Sequence, residues 1–262
     1  MPFVVLTGIG FWGLAGFIPP PDPSAGAVEI FDRFRENATG IRVGMAICIF
    51  AAAFLLPWGA AISAQIHRLE GRDPLLLWAF VAATGCIVLE FAFPSAFWVA
   101  AAYRLDVPQT VRALNDLAWL PWMIVCTGMF QMLILAAVTL ADERADPVYP
   151  RWFGYYNLWS AFGVAPAGLL YVFQTGPFAW NGIFGFYVPA VTAFSWIVLS
   201  GVMTARAVRR QPGQPGQPEH PDDRIEERLR ALERRADSGA RGDQGDRAEM
   251  VPVAVEDAVE RG

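Results

Sequence analysis

Apolar stretches long enough to cross a bilayer recur along the chain with short polar breaks between them, and this repetition constrains the fold more than any other feature. About 20 helical residues are needed to traverse roughly 30 Å of hydrocarbon, and stretches of this kind lie at 3–19, 43–64, 75–102, 117–140, 152–173 and 183–205. Lipid offers no partner for free backbone N–H and C=O groups, so each stretch is expected to be helical. The expectation is an all-α, polytopic transmembrane helix bundle of about six spans over residues 1–206. Composition agrees, with 55% hydrophobic and 13% aromatic residues. The net charge of −5 resides mostly after Arg206 and in the breaks, so it gives no reason to expect a nucleic-acid partner.

The first stretch runs from Pro2 into the Pro19-Pro20-Pro21 cluster with no basic residue before it. A cleaved signal peptide is an alternative, helped by the Ala25-Gly26-Ala27 triplet but lacking a charged leading region. A start placed too late, with a basic segment missing, is a third. Orientation follows from arginine placement. One face carries Arg68, Arg72, Arg144, Arg151, Arg206, Arg209 and Arg210, the other Arg33, Arg35, Arg42, Arg104 and Arg112, which puts both termini in the cytoplasm.

Two of the outer breaks have helical patterns of their own. Residues 24–40 offer Ser24 as an N-cap and space Val28, Phe31 and Phe34 on one face; residues 106–118 place Pro108 at a helix start with Val111, Leu114 and Leu117 on one side. Beyond the bundle, residues 207–221 read as a Pro/Gly/Gln linker, 222–237 as a short charged helix opened by Asp223 and Glu226, and 238–262 as disordered. Ile225, Leu229 and Leu232 would give that helix a short seam, either solvated or docked on a protein partner.

Several chemistries are excluded by what the chain lacks. All 20 basic residues are arginine, so no lysine Schiff base can form. Cys48, Cys86 and Cys126 lie in apolar stretches without CxxC spacing and read as packing residues. With only His67 and His220 there is no bis-histidine haem or HExxH zinc site, and no GxSxG elbow, P-loop or dinucleotide fingerprint occurs. Asp142, Glu143 and Asp146 form an acidic cluster that could hold Mg2+ but reads more simply as a solvated loop. No cofactor and no metal are expected.

One residue stands against the apolar pattern. Glu90 lies between CIVL and FAFP near the middle of the third stretch, where a carboxylate costs several kcal/mol unless protonated, paired or facing water. Pro94 removes the helical donor from the carbonyl of residue 90 itself, so a kink and an acid coincide. Every arginine flanks the stretches, so the expected partners are neutral: Gln131 in the fourth stretch, and Tyr156 or Asn157 in the fifth. The set reads either as a buried polar clamp between helices or as a protonatable transport or ligand site. Pro57, Pro121, Pro166 and Pro189 interrupt other stretches, and Gly163 and Ala167 fall at helix-contact spacing. Arg151, Trp152, Tyr155 and Trp159 suggest an interfacial anchor, and Trp98, Tyr103, Trp119 and Trp180 an outer aromatic belt.

Four segments, GFIPPP (16–21), LNDLAWLPW (114–122), PRWFGYYNLW (150–159) and TGPFAWNG (175–182), together resemble a group of uncharacterised six-span integral membrane proteins of high-GC Gram-positive bacteria. The resemblance covers roughly residues 3–205 and none of the tail. It implies architecture and plasma-membrane location, and it carries no activity. In that group a polar leader precedes the first span, which fits a late start here. The function expected is an accessory or transport-related role for a small apolar or lipidic compound. The alternatives are a membrane-embedded enzyme using Glu90 as acid or base, and a structural partner subunit acting through the tail helix.

Overall fold

The computed structural model describes residues 2–70, 74–123 and 126–210. The expected linker beyond residue 210, the charged helix at 222–237 and the tail from 238 lie outside the described residues, as does Arg72. Within the described residues the chain is helical and contains no strand. Among the described residues nine α-helices follow in order: α1 (Pro2–Thr7), α2 (Ala27–Glu36), α3 (Ala38–Ala52), α4 (Leu55–Glu70), α5 (Leu75–Tyr103), α6 (Pro108–Trp122), α7 (Cys126–Leu140), α8 (Arg151–Val164) and α9 (Val188–Arg209). A π-helical turn, Gly8–Leu14, continues α1; a 3-10 segment, Ala165–Tyr171, continues α8; a second π turn, Ile183–Tyr187, leads into α9.

Prolines account for where the helices change character. Pro57 has no N–H for the carbonyl of Ala53 and its ring crowds that group, and the helix breaks between α3 and α4 at Ala53–Phe54, where tighter bonds from Ala53 N–H to Phe50 O and from Phe54 N–H to Ala51 O take over. Pro166 falls where α8 tightens into its 3-10 extension, and Pro189 follows the π turn at 183–187. Pro94 is absorbed inside the unbroken α5.

Among the described residues four helical stretches are long and apolar enough to cross a membrane: Ala38–Leu69, Leu75–Tyr103, Pro108–Leu140 and Ile183–Arg209. The first expected stretch forms a shorter apolar helix, Pro2–Leu14, which ends before the proline cluster. The fifth is helical from Arg151 to Tyr171, but Tyr155, Tyr156, Asn157 and Trp159 dilute its apolar character. Large apolar side chains cover the outside of these elements: Trp12, Phe50, Trp78, Phe130, Trp159, Phe162 and Val191 are all exposed, the reverse of a water-soluble surface.

Three expectations need correction. Ser24 does not cap α2; its N–H and hydroxyl both donate to Asp22 Oδ1 at 2.8 and 2.6 Å, an arrangement that holds the Asp22 carboxyl below the usual carboxylate range, and the cap position is Gly26. The buried face of α2 is Ile30 and Phe34, one turn apart, while Val28 is exposed. In α6 the inward face runs through Val111, Asn115, Ala118 and Trp119, and Leu117 points outward. At the other end α9 runs through Arg209.

Two apolar cores fill the bundle. One gathers Phe11, Phe17, Phe34, Trp98, Trp119, Trp122, Trp180 and Phe186; the other gathers Phe3, Trp58, Phe80, Phe153, Trp196 and their aliphatic neighbours. In the first, Phe11 stacks on Trp122 with centroids 4.8 Å apart, and Trp98 meets Trp119 edge-on at 5.1 Å. Asn115 is the polar centre of this cluster, its Oδ1 accepting the indole N–H of Trp98 at 3.3 Å and of Trp119 at 3.2 Å. The chain between the first helix and α2 is fastened over this core. Arg33 Nη2 donates to the carbonyls of Gly16 and Pro19 at 2.8 and 3.0 Å, Asn37 Nδ2 to Leu14 O at 2.8 Å, and Trp180 Nε1 to Pro21 O at 2.9 Å. Elsewhere the last turn of α4 and the 141–150 connection meet, because Arg144 Nη2 donates to Arg68 O at 2.5 Å. Close approach of the first helix to α3 depends on paired glycines: a Cβ on either Gly10 or Gly44 would collide with the other's carbonyl.

Candidate functional site

Glu90 sits on α5 and receives a hydrogen bond from the hydroxyl of Thr127, in the first turn of α7, at its Oε1. Helices α5 and α7 pack directly on one another, which brings the two side chains together. Six residues back along α5, Thr84 faces Gln131, four residues on along α7; Gln131 Nε2 donates to Thr84 Oγ1 at 2.8 Å and to Phe80 O at 3.3 Å. The two polar pairs are therefore successive rungs of an antiparallel helix pair. Gln131 is fully buried and its Oε1 has no hydrogen-bond partner.

The expected constellation of Glu90, Gln131, Tyr156 and Asn157 is thus divided. Gln131 belongs to the Thr84 rung. Asn157, also fully buried, accepts the indole N–H of Trp196 at its Oδ1 (2.7 Å) and returns its Nδ2 to Phe153 O (2.6 Å). Tyr156 shares a hydrogen bond with Ser195 at 3.2 Å on the exposed side of the α8–α9 contact. None of the three is a hydrogen-bond partner of Glu90; the partner is Thr127. Its signal was present in the sequence as the i, i+4 pair Thr127 and Gln131 within an otherwise apolar helix, two polar residues on one face of α7.

Glu90 borders a cleft of about 70 Å3 between α5, α7, α8 and α9. Ile87, Phe91, Met132, Val164 and Ile197 make its walls apolar, and the Trp196 ring closes one side. Asn157 reaches the cleft only through that ring, which it holds in place by the indole hydrogen bond. Among the described residues the ion pairs are Arg112–Asp116 and Arg144–Asp142, so no arginine pairs with Glu90.

The other sequence candidates take structural roles. Asp142 is almost buried and accepts from the backbone N–H of Arg144 (3.3 Å) and of Val148 (2.9 Å) while its Oδ1 lies 3.5 Å from Arg144 Nε, so its oxygens are committed to shaping the loop. No group of three or more His, Cys, Asp or Glu side chains capable of holding a metal occurs among the described residues. Arg151 and Trp152 are exposed at the start of α8. Trp180, expected with Trp98 and Trp119 in an interfacial belt, is buried with them instead, because their indole N–H groups find acceptors inside the fold at Pro21 O and Asn115. Cys48 is buried and Cys86 exposed, and both are free thiols. Comparison with known protein families, with curated proteins and with solved structures finds no match to this chain.

Proposed function

We propose that this chain is a six-crossing protein of a bacterial plasma membrane, with both termini cytoplasmic, that serves an accessory or transport-related role for a small apolar or lipidic compound, and that Glu90 is its proton-carrying site. The observation that carries the reading is a carboxyl group, inside a membrane-length helix, facing an apolar cleft with a hydroxyl as its hydrogen-bond donor and, among the described residues, no cation paired with it. Intramembrane acids are costly to keep and commonly mark proton or substrate paths. The size of the cleft limits what it does at rest. Its 70 Å3 holds about two water molecules at roughly 30 Å3 each, far below the several hundred Å3 that enclose a drug-sized ligand. A proton and its water fit the resting cleft; an apolar compound needs α5 and α9 to part.

Loop contacts support the six crossings. The 15–26 segment and the 172–182 connection touch through Trp180 and Pro21, whereas the 141–150 connection touches the end of α4 through Arg144 and Arg68. Alternate connections then gather at opposite ends of the bundle, and the Arg151–Tyr171 stretch, which joins one group to the other, is a crossing despite its aromatic and polar content.

The test uses the full-length protein in vesicles loaded with a pH-reporting dye, challenged with a panel of lipophilic amines and lipids. Compound-dependent proton flux in the wild type and its loss in Glu90→Gln, with the circular dichroism of the protein unchanged, is the expected result. Flux that is equal in both proteins overturns the assignment of Glu90. If deletion of 211–262 abolishes a co-purifying complex while Glu90→Gln changes nothing, the protein is a partner subunit rather than a carrier.

A further inference from the structure

A second site lies on the outside of the bundle, where α3 passes the end of α5. Arg42 curls back along the first turns of α3, its Nε donating to Ala38 O and its Nη2 to Thr39 Oγ1, both at 3.3 Å, and its guanidinium carbon lies 5.2 Å from the centre of the Tyr103 ring. Below it runs an open groove of about 480 Å3 whose floor is the α3 face bearing Val43, Ala46 and Phe50. Among the described residues Arg42 forms no ion pair, and its long hydrogen bonds go to neutral acceptors that leave its positive charge uncompensated there. Phe50, 76% exposed, and Val43, 48% exposed, keep the rest of the groove apolar.

We infer that this groove binds an anionic phospholipid, with the headgroup phosphate on Arg42, Thr39 and Tyr103 and one acyl chain along Val43, Ala46 and Phe50. Charge complementarity selects the occupant: one end offers a cation and hydroxyls, the remainder only hydrocarbon. Length agrees. From Thr39 to Phe50 an α-helix rises roughly 16 Å, about half of the ~30 Å hydrocarbon core and so the depth of one leaflet. A planar guanidinium forks onto phosphate oxygens, and it can do so here while keeping its contact with the Tyr103 ring. A zwitterionic lipid carries the same phosphate together with a quaternary ammonium that Arg42 repels, so the preference is for an anionic headgroup. The site is separate from the Glu90 cleft and does not depend on the function proposed for it.

Native mass spectrometry of the full-length protein in mild detergent tests the assignment, with dioleoyl phosphatidylglycerol, dioleoyl phosphatidylcholine and inorganic phosphate as probes. One phosphatidylglycerol is expected to stay bound under activation that strips phosphatidylcholine. Arg42→Gln should weaken that binding roughly tenfold or more, the scale of one charged hydrogen-bonded contact. Ala46→Phe, which fills the groove from an exposed position and leaves Arg42 intact, should weaken it too. Equal retention of the two lipids overturns the proposal, as does phosphatidylglycerol binding that neither variant reduces. Inorganic phosphate that competes as well as the lipid reduces the site to an anion contact and overturns the lipid assignment. A dimer dispersed by Ala46→Phe would show that a second copy is the occupant.

Discussion

Replacing Asn157 with Leu tests whether the wall of the Glu90 cleft is held by a single polar contact. Leucine nearly matches asparagine in shape and removes the acceptor for the Trp196 indole, a bond of 2.7 Å between residues that are 0% and 1% exposed. An orphaned buried N–H costs about 1–3 kcal/mol in water-soluble proteins. Polar contacts between membrane helices average nearer 0.6 kcal/mol with a ceiling of about 1.7, because the unfolded helices in the bilayer find other partners. The bond is short and wholly enclosed, so its loss should fall near the upper end, about 1–2 kcal/mol. The bond from Asn157 Nδ2 to Phe153 O adds little, since it lies within one turn of α8. The assay is equilibrium unfolding of the full-length protein in mixed micelles of mild detergent and dodecyl sulfate, followed by far-ultraviolet circular dichroism. Trp196→Phe leaves the asparagine oxygen orphaned in turn, and the double variant removes both partners, so the cycle should return a coupling of about 1 kcal/mol. Loosening of the Trp196 ring should also speed reaction of Glu90 with dicyclohexylcarbodiimide, read by peptide mass mapping. A single-variant loss under about 0.3 kcal/mol, or strict additivity, refutes the claim that Asn157 positions the ring.

Asn115→Leu should cost about 1–3 kcal/mol in the same unfolding assay, because it orphans the indole N–H groups of Trp98 and Trp119 together, although both bonds are long. Tyr149 gives a pH prediction. Burial pushes its phenol up from the ordinary value of 10 to about 12, against smaller opposing effects of the Thr204 hydroxyl and of Arg68, so the fold favours the neutral form. Its contribution to stability is therefore complete below pH 10 and disappears as pH rises through about 12. Ultraviolet titration should show a late tyrosine step, and Tyr149→Phe should remove it. Arg33→Gln should release the 15–19 segment, since a glutamine amide cannot span both the Gly16 and Pro19 carbonyls, and limited proteolysis should then cut between residues 15 and 26 faster than in the wild type.

Hydrophobic runs and prolines made much of the helical architecture legible in the sequence. The stretch at 75–102 corresponds to α5 almost end to end, and that at 183–205 covers the π turn and most of α9, because an uninterrupted apolar run in lipid has one backbone solution. The break at Ala53–Phe54 and the change of helix type at Ala165 each stand next to a proline. What could not be read was which face of each helix turns inward. A span apolar on every side has little amphipathic signal, and α5, α7 and α8 offer no stripe that separates a lipid face from a core face. Aromatic residues were misplaced for the same reason: a tryptophan near a helix end is equally at home at the membrane interface or in a core, and only the acceptors on Asn115 and Pro21 decide for Trp98, Trp119 and Trp180. Glu90 was legible as an isolated acid, but its partner depends on the register of α5 against α7, which the apolar pattern leaves free.

Once that register is known, the chemistry at position 90 can be separated from its packing. Polar pairs recur through the bundle: Thr84 with Gln131, Asn157 with Trp196, Tyr149 with Thr204, and Asn115 with two indoles. Each uses neutral groups to fix one element against another. The Glu90–Thr127 pair makes the same kind of contact with an ionisable group. A glutamine at position 90 would accept the Thr127 hydroxyl at its amide oxygen just as the carboxyl does, with nearly the same shape and without the cost of a buried charge. A clamp therefore does not require the acid. Glu90→Gln should leave micellar unfolding within about 0.5 kcal/mol of the wild type, the range of a conservative change, while abolishing any proton-linked flux and all carbodiimide labelling at this position. Thr127→Val, which removes the donor and retains the carboxyl, should keep the labelling. If Glu90→Gln instead unfolds the protein and Thr127→Val does the same, the pair is a structural rung like the others and the carboxyl has no separate role.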